Sequence, residues 1–93
     1  MRKFERSLVR EIVPLMLECF DLDKRASDAH DLGRSEDSIF YMLQSDMKST
    51  QAQNLCDKVS GLQKYCVDLA IRIEEFRRAK RLVEARKRLS EGA

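Results

Sequence analysis

The feature that most constrains this chain is a run of apolar residues in its last third. Leu55, Val59, Leu62, Cys66, Leu69, Ile73, Phe76 and Val83 recur at three- and four-residue steps, with Lys80 the one break in the pattern. Such spacing keeps one side of an α-helix apolar across four heptads and gives it a coiled-coil-like seam that another helix must cover. Cys56, Val67 and Ala70 add an apolar flank beside the seam, enough surface for two neighbouring helices. The spacing predicts a long helix over 50–89, opened by Thr50 and Gln53 in capping-box register. Gly61 falls inside this helix, where it costs under about 1 kcal/mol and permits close approach of a partner.

The rest of the chain also reads as helix. Only 3 Gly and 1 Pro interrupt 93 residues rich in helix formers. Phe4, Leu8, Ile12, Leu15, Met16, Cys19 and Phe20 share one broad face, predicting a helix over 3–21. Pro14 points away from that face, so a bend with the ring toward water is expected. Residues 22–34 are rich in side chains that compete with helical hydrogen bonding and include Gly33; they read as the main connection. Ser35 resembles an N-cap followed by Glu36 and Asp37, acids that oppose the positive pole of a helix over 35–47. Its apolar side is Ile39, Phe40, Leu43 and Met47, broadened by Tyr41 and Met42. The expected architecture is all-α, a single domain over 1–93. It is a small antiparallel bundle of two to three helices in which the first two fold against the long third, whose basic end protrudes.

Several chemistries are disfavoured. The net charge of +2, from 18 basic and 16 acidic residues, gives no global attraction to nucleic acid or anionic lipid. No stretch approaches the roughly 18 apolar residues of a membrane span, and charges interrupt the N-terminal segment too early for a signal peptide. An odd count of 3 Cys fits reduced thiols in the cytoplasm, or in the nucleus. His30 lies among Asp28, Asp31, Ser27 and Ser35, without a glycine-rich elbow to build a hydrolase site. Asp21 and Asp23 open like a calcium loop, but Arg25 stands where the third ligand belongs. Gly33-Arg34-Ser35 lacks the further glycines and lysine of a phosphate loop. Cys56 and Cys66, read as one helix, lie about 15 Å apart along its axis and cannot bridge. Leu8, Ile12, Leu15 and Leu17 have the spacing of a nuclear-export segment, which any core-facing helix shares. No enzyme, cofactor or metal site is expected.

Two functions remain. The first is a non-enzymatic helical interaction module, such as an adaptor, small chaperone or assembly subunit. It pairs with itself, most simply as a dimer, or with another helical protein through Val59, Leu62, Cys66, Leu69, Ile73 and Phe76. The second is a small dimeric nucleic-acid-binding protein, a regulator or viral-type RNA binder. It uses the local basic excess of Arg72, Arg77, Arg78, Lys80, Arg81, Arg86, Lys87 and Arg88 to track phosphates. Solvated helix ends also carry such cations.

Overall fold

A computed structural model describes residues 1–92. It contains three helices, α1 (Lys3–Asp31), α2 (Ser35–Cys56) and α3 (Leu62–Glu91), and no strand among the described residues. The all-helical class follows the sequence; the boundaries depart from it in two places.

α1 runs on through residues expected to form the connection and ends at Asp31. The chain turns over Leu32–Arg34, with Gly33 at φ 74° in the left-handed region that glycine enters without strain. Asp23, Ser27, Asp28 and Asp31 are weak helix residues, but all four are exposed, while Ala26 and Ala29 between them are buried. Burial of those two alanines outweighs the local propensity. Pro14 sits inside the helix on its exposed side, as expected, so the hydrogen bond it deletes lies toward water.

The second difference is the site of the next break. Ser35 is the first helical residue of α2, and Arg34 occupies the cap position without a side-chain hydrogen bond. Glu36 and Asp37 still stand in the first turn. Thr50 and Gln53 start nothing: α2 passes through them to Cys56. The turn comes at residues 57–61, and α3 begins after Gly61 at φ 81°. A Cβ placed on Gly61 would meet no atom within 4 Å, so glycine serves the backbone angle there and admits no close-packed partner. Val59 therefore lies in a turn, and Cys56 and Cys66 belong to different helices.

Cross-helix partners give the direction of the first pair. Lys48 Nζ meets Glu18 Oε2 at 3.1 Å, Ser45 Oγ donates to Asp23 Oδ1 at 2.7 Å, and Ser38 Oγ donates to the Ala26 carbonyl at 2.9 Å. Positions rise along α1 as they fall along α2, so these two helices run in opposite directions. The core gathers Leu8, Ile12, Val13 and Leu17 from α1, Ala52 and Cys56 from α2, and Leu62, Cys66 and Ala70 from α3. Ile12, Cys66 and Ala70, at 0% exposure, are its centre. α1 is the shared partner, while α2 and α3 touch little. The expectation that the first two helices fold against the third holds for α1 and is corrected for α2, which packs on α1 instead.

The molecule measures 51 × 34 × 15 Å with a radius of gyration of 16.4 Å. A compact chain of this length would have a radius of about 12 Å. The excess reflects α3, every residue of which from Glu75 to Glu91 is exposed.

Candidate interaction surface

The seam expected on the long helix is divided. Leu62 and Cys66 are buried in this chain's own core, Leu69 and Ile73 are half-buried at its edge, and Val59 is half-buried in the preceding turn. Phe76 is 70% exposed and Val83 65%. A seven-residue repeat drifts about 20° per heptad around a straight helix. Leu62, Leu69, Phe76 and Val83 thus rotate progressively away from the side that α1 covers. The residues available to a partner are Phe76, Leu82, Val83 and Leu89, together with Ala79 in the same sector.

The basic residues are all exposed: Arg72, Arg77, Arg78, Lys80, Arg81, Arg86, Lys87 and Arg88. They do not form one cationic face. Arg81 Nη2 meets Glu74 Oε1 at 3.1 Å and its Nε donates to the Arg77 carbonyl. At 100° per residue, Glu84 and Glu91 fall among Arg77, Lys80, Arg81 and Arg88. Glu74 Oε2 is buried without a hydrogen-bond partner, a carboxylate oxygen held at the edge of the core.

The surface that periodicity misassigned is on α2. Ile39, Phe40, Met42, Leu43 and Met47, expected to face the core, are all exposed; Leu43 is 59% and Met47 65% accessible. The residues turned inward are Ser38, Ser45, Ala52 and Cys56. At 100° per residue the two sets are centred about 160° apart. Small side chains let the α2 backbone approach α1 closely enough for a serine hydroxyl to reach a mid-helix carbonyl, which Leu or Phe at those positions would prevent. The signal was present in the sequence as Ser38, Ser45 and Ala52 at seven-residue intervals. Phe40 of this surface makes an edge-to-face pair with the half-buried Tyr41, centroids 6.0 Å apart.

The remaining polar chemistry is sparse. His30 is exposed on the last turn of α1. No group of three His, Cys, Asp or Glu residues is placed to hold a metal among the described residues. Cys19, Cys56 and Cys66 are free thiols. Burial pushes all three up from the ordinary thiol range, and the neighbouring Cys56 adds to the rise at Cys66. Cys19 Sγ donates to the Ser45 carbonyl at 3.5 Å. A cavity of about 360 Å³ opens where α1, α2 and α3 diverge, lined by Met16, Cys19, Ser45, Gln53 and Val67 among others. Its lining mixes amides, carboxylates and thiols without a paired acid and base. No described helix is long and apolar enough to cross a membrane.

No protein-family model, curated protein or solved structure matches this chain.

Proposed function

We propose that this protein is a non-enzymatic helical interaction module, of the adaptor, small-chaperone or assembly-subunit kind. The end of its long helix seeks another helical surface. The reading rests on one observation: beyond the core, α3 carries Phe76, Leu82, Val83 and Leu89 in water. A helix of residues 75–91, about 25 Å long at 1.5 Å per residue, gains little tertiary packing from its own chain, where Asp21 and Lys24 of α1 border Glu75, Arg77 and Arg78 without burying them. Packing those side chains against a second helix supplies what is missing, and a small core gains most from such association. The partner most economical with these observations is a second copy, so a homodimer with coiled-coil-like contacts is the expected form. Three free thiols fit a reducing compartment such as the cytoplasm.

Nucleic-acid binding is the less favoured reading because Glu74, Glu84 and Glu91 lie among the arginines that would track phosphates.

Sedimentation analysis from micromolar to several hundred micromolar tests the proposal. The expected result is a dimer or larger species that Phe76→Asp and Val83→Asp together reduce to single chains. A chain that stays monomeric throughout, or that gains mass only when duplex DNA or RNA is added, would overturn it.

A further inference from the structure

We infer that the outward stripe of α2 is the receptor for the α3 arm of a second copy, so that two chains exchange arms across a two-fold axis. This rests on the preceding reading that the arm engages another helix, and it names the surface engaged.

Two unpartnered apolar faces occur on one chain, and their charges decide how they combine. Within the α2 stripe, the sector of Ile39, Leu43 and Met47 also holds Glu36 and Asp46, both exposed. No cation shares it. Lys48, the only basic residue of α2, is half-buried toward α1 and meets Glu18 at 3.1 Å. Pairing two α2 stripes would therefore bring four carboxylates into one apolar interface with nothing to neutralise them. On the arm, the sector of Phe76, Ala79, Leu82, Val83 and Leu89 holds Arg72 and Arg86, with Arg78 and Lys87 at its margins and Glu75 as the one acid. Two arms face to face would repel in the opposite sense. An arm laid on an α2 stripe places guanidinium groups beside Glu36 and Asp46 while joining apolar to apolar.

Size agrees. The stripe from Glu36 to Met47 is about 18 Å long and the arm about 25 Å, so the arm can cover it. The five exposed α2 side chains present on the order of 600 Å², at the upper end of what a typical monomer leaves in one apolar patch. A single α2-to-α2 contact would bury on the order of 1,200 Å² in total, the lower limit for a specific interface, whereas two arm-to-stripe junctions bury on the order of 2,000 Å². Because each copy gives an arm and receives one, the contact closes at two chains instead of growing into a filament.

A complementation experiment with full-length chains tests the exchange. One variant carries a disabled arm, Val83→Asp; the other carries a disabled receptor, Leu43→Asp. Both positions are exposed, and circular dichroism verifies that helical content is retained. Each variant alone is expected to associate at least tenfold more weakly than the unaltered chain. An equimolar mixture keeps one sound junction per pair, and is expected to contain at least tenfold more two-chain complex than either variant alone.

If Val83→Asp is monomeric while Leu43→Asp dimerises normally, the α2 receptor is wrong and the reading of the arm survives. If both variants are monomeric and mixing restores nothing, the exchange is wrong, since like surfaces would then be pairing. An unaltered chain that is monomeric at several hundred micromolar overturns both this inference and the reading beneath it.

Discussion

The Ser38 hydroxyl donates to the carbonyl of Ala26 at 2.9 Å, a bond between a side chain of one helix and the mid-helix backbone of another. It is possible only because both residues are small. Together with Ser45, Ala52 and Cys56 it fixes which side of α2 meets α1, and so which side carries Ile39, Leu43 and Met47 outward.

Enlarging this seam should cost stability. Ser45→Leu must push α2 away from α1 and leave Asp23 without its 2.7 Å hydrogen bond; a loss of about 1–3 kcal/mol is expected, read as a lower urea midpoint. Ser38→Ala, which keeps the size and deletes one bond, should lose about 1 kcal/mol. A Ser45→Leu chain as stable as the original would show that the α1–α2 approach is not the constraint described.

Gly61→Ala should destabilise by about 1 kcal/mol, because alanine is strained at φ 81° although space for its Cβ is free. Gly61→Asn, which tolerates the left-handed region better, should lose less. Equal losses in thermal unfolding would point to a steric cause in place of a backbone one.

Pro14→Ala should stabilise the chain. The proline is exposed in the interior of α1, so alanine restores a backbone hydrogen bond without removing a core contact, for a gain of up to about 3 kcal/mol. Denaturant titration measures it directly; a loss of stability would mean that the ring supports a bend the packing requires.

The thiols should make the protein alkali-sensitive. Burial raises Cys19, Cys56 and Cys66 above their ordinary value of 9.0, so below that pH both folded and unfolded chains hold these protons. Above it the unfolded chain releases them first, so the thiol contribution to stability is full below pH 9.0 and is lost as the pH rises through the folded values. A thiol reagent at pH 8 should label the native chain several-fold more slowly than the urea-unfolded one, and Cys66 more slowly than Cys19, which is less buried. Equal labelling rates in both states would contradict the buried positions.

The positions of Leu8 and Ile12 on one side and of Leu62, Cys66 and Ala70 on another were legible from spacing because apolar residues there do face the core, whereas Val13 and Leu17, outside the expected face of α1, are buried as well and Phe4, within it, is 60% exposed. The same rule failed on α2. Periodicity reports which residues share a face, and it assigns the greasier face inward; in α2 the inward face is chosen by size, and serine, alanine and cysteine win it. It also failed at residues 22–31, whose local competition for hydrogen bonds is real but is overcome by Ala26 and Ala29 packing. By spacing Gly61 reads as an ordinary helical residue, yet its left-handed angle closes the turn that follows α2 and caps the start of α3.

By itself the sequence determined that the chain is helical, that Leu62, Cys66 and Ala70 share one side, and that cations collect near its end. Those are properties of residue type and of the 3.6-residue turn, which act over a few neighbours along the chain. Tertiary structure alone decided that α1 lies at the centre, that α2 turns its apolar stripe to water, and that α3 leaves the core after Ile73. Those outcomes depend on how closely two backbones can approach, a quantity set by pairs of residues distant in the chain, such as Ala26 and Ser38.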